Sequence, residues 1–493
     1  MNARTALIAC ICTILLSAAA VWLLRTPANP TPTGPELPSW VRTLDSTPLT
    51  GLSLTHATQP GRSELVRSAD LPLFVLQANA TQPAWPIDET RIRSAARLIA
   101  DSAKAAASAT GLFTPGYTVT WTTPTGPQSL TLSDAPSWLG GFAQLRFDNA
   151  AASPVLRVQT DLAKLFTPEA LLAWRSPTIF PALQASEAGG VSIQTIAGVV
   201  TLKKSGAQWG LPDYRINADP DAVAQVVRTL TALGATRLIG AADAAASQTT
   251  PTMILEMRSS VNSAAPGSQE VTRRVLVQSV RVFGAADGSG KTLLAVAQGA
   301  WDESPEKPVW GPMQLAINAA DIATIPTDAA KLASRVLLDV PAADISRLYL
   351  GHTDTGEDLS STSLTPPQVA TLESGSNKAA ASMVKREVNG WSLKNVRASG
   401  TKEASRMEPL LTLLCKTPAA HVQFAPIEGA KAWMTLIAST AKGPHAMIGI
   451  ATGVDSAGKR VLVVRSGSAY YVFGPEAAVA VIDVLEELLP VEG

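Results

Sequence analysis

Two segments of this chain repeat one order of strands, tryptophan and amphipathic helix, and this repeat limits the fold more than any other feature. Residues 199–211 and 383–393 each predict two short strands around a turn, with a tryptophan two positions before a leucine. Apolar residues then follow at i, i+3, i+4 and i+7, which predicts a helix with one buried stripe. The two stripes lie 184 positions apart and consist of Val223, Val226, Val227 and Leu230, and of Met407, Leu410, Leu411 and Leu414.

A third, more divergent copy precedes these two. Trp85 comes before a helical stripe, and Asp88 is placed to cap that helix. Asp219 followed by Pro220 predicts the start of the second helix in the same way, and Gly234 predicts its end. The stripe of the divergent copy consists of Ile92, Ala95, Ala96 and Ile99.

Alternating apolar residues predict further strands after each helix. They lie at 117–121, 253–257 and 433–437, with strand pairs at 273–283 and 292–300 and at 447–452 and 460–465. Closing helices are predicted from 167–169 and from 474–476, where proline takes the first helical position, and over 327–337.

Together these patterns predict an α+β fold of tandem related units, each an antiparallel sheet with helices packed on one face. We place the units at 49–185, 186–340 and 341–493, the first being the divergent copy. The polar stretch 356–378 is predicted to be a loop inserted into the third unit.

The N-terminus predicts a membrane anchor. Residues 5–24 are apolar and uncharged between Arg4 and Arg25, and about 20 helical residues cross the hydrocarbon core. A cleaved signal peptide is the alternative, but the apolar run continues beyond the small residues 18–20. We predict a signal anchor over 1–25 and a proline-rich stalk over 26–48. The protein is then single-pass in the inner (cytoplasmic) membrane, held by the lipid bilayer through residues 5–24, with its bulk periplasmic.

Charge and cysteine content exclude two classes of protein. Lys and Arg number 40, as do Asp and Glu, so bulk charge does not favour nucleic acid as a partner. Cys10 and Cys12 lie inside the predicted anchor, which leaves Cys415 as the only other cysteine. The exported part can therefore form neither an internal disulfide nor a thiolate zinc site.

Residues 209–238, with the Trp-Leu pair, the capped helix and the sequence Ala-Thr-Arg-Leu, resemble an uncharacterised bacterial family of domains of unknown function. The strand predicted at 340–350 resembles the same family. This resemblance, over 190–420, implies repeated domains on an exported chain behind one membrane helix. It also implies genes beside ABC transporters of the gliding-motility type, and partners such as an ABC-type permease or an exported auxiliary subunit. Its motifs concern packing and carry over no functional residue.

One segment satisfies a relaxed P-loop pattern, in which backbone amides hold phosphates. It spans 285–292, with Lys291 near its end. A P-loop needs a following helix, whereas the matching turn at Gly458 and Lys459 leads into a strand. Both segments are therefore predicted to be hairpin turns, with Gly and Asp where positive φ is needed. We expect no nucleotide cofactor.

Histidines and acids give no metal-site spacing. His352, Asp354, Glu357 and Asp358 cluster in one polar loop, but they lack the spacing of a calcium loop, so a solvated loop is the favoured interpretation. The remaining histidines are each isolated from a second ligand. They are His56, His421 and His445.

Trp209 and Trp391 could stack on sugars or peptides, but their fixed place before a helix favours a role as core anchors. As such, each substitution by alanine is expected to cost about 3–5 kcal/mol.

No residue is therefore assigned to catalysis, to a cofactor or to a metal. We expect a non-enzymatic, membrane-anchored exported binding or assembly protein, auxiliary to an ABC-type transport or gliding-motility-like complex. The alternative is an exported hydrolase with a carboxylate-based site between units, since two acids can meet from anywhere in a chain.

Overall fold

A computed structural model of the protein describes part of the chain. The described residues are 38–42, 51–57, 62–67, 71, 73–77, 83–105, 107–108, 113–133, 142–147, 155–159, 162, 164–181, 187–242, 250–264, 271–352, 380–395, 401–403, 407–427, 430–441, 443–454 and 458–488. The predicted anchor and the predicted inserted loop at 356–378 lie outside them. Within these ranges, no helix combines the length and the apolar character needed to cross a membrane.

The described strands form three sheets. The first contains β1 (Gly51–His56), β2 (Arg62–Arg67), β3 (Phe74–Gln77), β4 (Trp85–Pro86), β5 (Ala107–Ser108), β6 (Pro115–Thr123), β7 (Gly126–Ser133), β8 (Phe142–Phe147) and β9 (Leu156–Gln159). The second contains β10 (Ala188–Thr195), β11 (Gly198–Ser205), β12 (Gln208–Leu211), β13 (Ile216–Asn217), β14 (Ala235–Ala241), β15 (Met253–Ala264), β16 (Val271–Ala285), β17 (Thr292–Trp301) and β18 (Ser304–Asn318). The third contains β19 (Ile345–His352), β20 (Ala380–Glu387), β21 (Gly390–Asn395), β22 (Thr401–Glu403), β23 (His421–Gln423), β24 (Lys431–Thr440), β25 (Gly443–Val454), β26 (Arg460–Ser466) and β27 (Ala469–Phe473).

All three sheets have one strand order. Numbered within its own sheet, each runs 4-3-2-1-6-7-8-9-5. The first strand pairs antiparallel with both the second and the sixth, as β10 does with β11 and β15. The predicted sheet-rich, antiparallel fold is confirmed.

Seven helices are described: α1 (Ser39–Arg42), α2 (Glu89–Ala105), α3 (Pro168–Leu172), α4 (Pro220–Ala232), α5 (Ala319–Ala323), α6 (Met407–Cys415) and α7 (Pro475–Leu488). One of them, α2, α4 or α6, lies between the fourth and fifth strands of each sheet, which are its two edges. The predicted apolar stripes of these three helices are buried, as expected. In the first sheet, Ile92 and Ile99 of α2 belong to the same core as Trp121 of β6.

The predicted caps are confirmed where helices begin. The Asp219 carboxylate accepts from the backbone N–H groups of Asp221 and Ala222, and Pro220 takes the first helical position. Thr167 caps α3 in the same way by accepting from the N–H of Ala170. Asp88 accepts from the N–H of Thr90 at the start of α2. These side chains satisfy N–H groups that have no partner inside the helix.

The helix predicted over 327–337 is wrong. Asp328 instead caps a single 3-10 turn at Ala329–Lys331. The chain then leaves the turn because its backbone pairs with β13 and the residues that follow it: Asp219 N donates to Leu332 O over 2.8 Å, and Ser334 N donates to Asn217 O over 2.9 Å. Pairing with a distant strand here overrides the local helical pattern.

Two other boundaries differ from the sequence predictions. The strand predicted at 340–350 begins at Ile345, after a 3-10 turn at Ala342–Asp344. Part of the predicted stalk is α1, in which Val41 is fully buried and Trp40 packs edge-to-face on Phe147 with ring centres 5.5 Å apart. These apolar side chains belong to the first core, so the region over 26–48 is not stalk throughout.

The chain divides into two compact units. One comprises Met1–Ser176 with Ser263–Thr272, and the other comprises Pro177–Asn262 with Arg273–Gly493. The second unit thus holds the third sheet and all of the second sheet except the tips of β15 and β16. The predicted boundaries at 185/186 and 340/341 stay a prediction.

Replacing Asp219 by alanine tests the cap of α4. We expect Asp219→Ala to lower the free energy of unfolding by about 1 kcal/mol, because two N–H groups lose their acceptor. Asp219→Asn keeps a side-chain oxygen and serves as the matched control. Urea denaturation followed by circular dichroism measures both, and equal midpoints for the two variants would contradict the capping role.

Candidate functional site

The segment with a P-loop pattern is a hairpin turn, as predicted. It joins the antiparallel strands β16 and β17. The Asp287 carboxylate accepts from Ser289 N over 3.0 Å, Ser289 Oγ over 2.6 Å and Thr292 Oγ1 over 2.7 Å. These hydrogen bonds lower the pKa of Asp287, and Gly290 supplies a φ of 67°. The related turn at Gly458, with a φ of 75°, lies between the paired strands β25 and β26.

Trp209 and Trp391 are not core anchors, and this prediction is wrong. Both are half-buried, whereas Trp85, Trp121 and Trp310 are fully buried. We therefore expect alanine at 209 or 391 to cost less than the 3–5 kcal/mol given by full burial.

Each of these two half-buried rings instead carries a cation from the neighbouring strand. Lys204 Nζ lies 5.9 Å from the Trp209 ring centre, and Arg386 Cζ lies 4.7 Å from that of Trp391. Each cation is the direct cross-strand partner of its tryptophan. Trp85 is also not the equivalent of these two tryptophans in the first sheet. It lies on the fourth strand of its sheet, whereas Trp209 and Trp391 lie on the third.

The predicted histidine and acid positions are not brought together among the described residues. His56 packs edge-to-face on Tyr117, with ring centres 4.5 Å apart, and His421 is exposed at the start of β23. His352 ends β19. The rest of its cluster, Asp354, Glu357 and Asp358, and the side chain of His445 lie outside the described residues. Where the structure describes the chain, no group of three His, Cys, Asp or Glu residues is placed to hold a metal ion.

A group of polar contacts lies instead where the chain passes from the second sheet to the third, inside the second unit. Residues 332–338 cross there, and we call them the connector. Its first half pairs with β13, as described above. Its second half reaches the helix of the third sheet, where Leu338 N donates to Leu414 O over 2.8 Å. Both leucines are buried.

Arg335 fixes the connector to the chain that follows α6. Its Nε donates to Ala419 O over 2.7 Å, and its Nη2 donates to Ala420 O over 3.0 Å. In return, Ala419 N donates to Arg335 O over 2.8 Å. The planar guanidinium reaches two successive carbonyls at once, a geometry that a single ammonium cannot reproduce.

A second contact joins two turns of the same sheets. The Tyr214 ring stacks on Phe424, with ring centres 3.8 Å apart, and Ser468 N donates to Tyr214 O over 3.1 Å. Gly467, with a φ of 58°, has no room for a side chain, because a Cβ there would lie 2.6 Å from Tyr214 O. We call the junction the set formed by the connector, the turn that contains Tyr214, the turn that contains Gly467 and Ser468, and Phe424.

Backbone pairing of the same kind recurs at the start of the second unit. Ala235 N donates to Pro177 O over 2.7 Å, as Ala419 N does to Arg335 O. Within the first unit, Ser176 N donates to Pro86 O over 2.9 Å, as Ser334 N does to Asn217 O. Sequence reasoning missed this repeated arrangement, because backbone groups make most of it and leave no side-chain motif.

Chemically, the junction holds backbone and rings in place. Comparison with protein-family models, with curated proteins and with solved structures finds no match to this chain. The family resemblance stays a prediction.

Replacing Gly467 tests the junction. Gly467→Ala is expected to weaken it by about 1–3 kcal/mol, because the new methyl group meets Tyr214 O. Gly206→Ala is the matched control, since Gly206 has a φ of 62° and nothing within 4 Å of a Cβ. Hydrogen exchange of peptides covering 212–217 and 419–424 should quicken only in Gly467→Ala. Equal exchange in the two variants would contradict the role of Gly467.

The thiol of Cys415 supplies a second test of burial at the end of α6. Burial raises the pKa of this thiol from 9.0 to about 11. Because the thiolate is the reactive form, alkylation by iodoacetamide at pH 8 should be about 100-fold slower than in the urea-unfolded chain. Mass spectrometry of the peptide measures both rates, and similar rates would show that the thiol is not buried.

Proposed function

We propose that this protein is a membrane-anchored, exported assembly protein without enzymatic activity, auxiliary to an ABC-type transport or gliding-motility-like complex. In this proposal residues 1–25 anchor the chain in the inner membrane and its bulk is periplasmic. Each sheet carries its helices on one face, which leaves sheet edges and turns for contacts with other proteins. The partner is an ABC-type permease or an exported auxiliary subunit.

The junction is the observation that supports this proposal best. Two sheets of one strand order are joined by backbone hydrogen bonds and by a stacked ring pair, with Arg335 bonded to two carbonyls. A fold that joins its own copies through sheet edges and turns can use the same kinds of group to hold another protein.

The use of acidic side chains favours assembly over hydrolysis. Asp219 and Asp328 are occupied by helix or turn capping, and Asp287 by its hairpin. Asp339 accepts from Gln208 Nε2 over 2.8 Å beside the connector. These carboxylates thus hold the fold, whereas the carboxylate-based hydrolase of the alternative needs two that face one substrate.

In-cell crosslinking of the tagged full chain tests this function. After detergent extraction, mass spectrometry should recover an ABC-type permease or its exported auxiliary chain. Deletion of 49–493 should abolish that recovery, because only the anchor and residues 26–48 remain.

Two point variants make the test specific. Gly206→Ala should retain the partner, whereas Gly467→Ala should lose it if the joined second and third sheets form the binding surface. Recovery of the tagged protein alone from the parent chain would contradict the assembly proposal and would direct the search to hydrolase substrates.

A further inference from the structure

Gln278 is a polar side chain in the centre of an apolar core. It lies on β16 between Leu276 and Val280, and all three have 0% exposure. Neither its Oε1 nor its Nε2 has a hydrogen-bond partner. A buried amide in this state costs about 1–3 kcal/mol, and nearly all such groups in folded proteins are satisfied by protein or by ordered water.

Two neighbouring strands place a second polar atom in the same row. Gln278 pairs with Gly299 of β17, and Gly299 pairs with Trp310 of β18. Directly paired residues project to the same face of a sheet, so the three share the core face. The Trp310 indole lies over Gly299, where a Cβ would clash with Cε2.

Trp310 thereby adds an unpartnered donor to the row that holds Gln278. Its Nε1 is bonded to Cε2 and is buried without a partner. On the other side of β16, the Ser259 Oγ of β15 is also buried and unpartnered. Four polar atoms on β15, β16 and β18 of one sheet thus lack partners.

The backbone beside Trp310 is irregular. The register between β17 and β18 shifts on both sides of the Gly299–Trp310 pair. Such bulges bend a strand and redirect side chains, and they recur beside binding sites.

We propose that this part of the second sheet binds ordered internal water. Trp310 Nε1 donates to the water oxygen and a water O–H donates to Gln278 Oε1, with Gln278 Nε2 and Ser259 Oγ as further polar groups of the site. A buried water needs two to four polar partners, and these side chains offer that number.

Gln278→Met distinguishes a wet site from a dry one by the sign of its effect. In a dry core, an unbranched apolar side chain of similar length removes two unsatisfied atoms and slows hydrogen exchange of β16–β18. In a wet core, the substitution leaves the water and Trp310 Nε1 without their polar partners. Hydrogen exchange of β16–β18, measured in the full chain, should then be about tenfold faster. Slower or unchanged exchange would overturn the proposal.

A double-mutant cycle with Trp310→Phe tests whether the two side chains share the water. The effects of Gln278→Met and Trp310→Phe on exchange should be less than additive, since either change alone disrupts the same bridge. Trp121→Phe is the matched control, because Trp121 Nε1 is buried and unpartnered in the first sheet, and its effect should add. Additive effects for both pairs would overturn the bridge.

A high-resolution crystal structure of the full chain keeps the proposal testable if Gln278→Met does not fold. Electron density for water within hydrogen-bond distance of Trp310 Nε1 and the Gln278 carboxamide would support it. Direct protein partners for these atoms, or density without water, would overturn it.

Discussion

The helix that carries the chain from one edge of each sheet to the other is the constraint on which the rest of the structure depends. Eight strand spacings separate the edges along a nine-stranded sheet by roughly 38 Å. The 13 residues of α4 cover about 20 Å, and short extended segments cover the rest. A helix tied so closely at both ends has to cross the sheet, which explains why its apolar stripe is buried.

The same connection determines where the second and third sheets meet. The fifth strand begins soon after the helix ends, so backbone groups beside an edge strand lie next to the helix terminus. Arg335 and Leu338 of the connector bond to groups at this place in the third sheet. An edge that would otherwise expose unpaired backbone groups is thereby used to join two sheets. This is the physical basis for proposing assembly as the function.

Local patterns allowed much of each sheet to be predicted. The stripe of α4, the cap at Asp219 and the hairpin at Asp287 each depend on residues within a few positions of one another. Contacts between distant residues could not be read in this way. The helix expected over 327–337 gives way to pairing with β13, and Arg335 bonds to carbonyls 84 and 85 positions away.

Burial of the repeated tryptophans was mispredicted for a related reason. A helical or strand pattern indicates on which face of its element a residue lies, but not how far along that face the core extends. Leu211 is fully buried, whereas Trp209, two positions closer to the hairpin turn, is half-buried under Lys204. The junction left no sequence motif because backbone atoms make most of its hydrogen bonds.

The central claim is that the junction holds the second and third sheets as one body. Pulsed electron spin resonance between labels at Ile196→Cys and Val388→Cys tests it most directly, with the natural cysteines replaced. Both sites are on hairpin tips and are 88% and 100% exposed, so labels should leave the fold intact. A narrow, single distance distribution is the result expected for one body. A broad distribution would contradict the account.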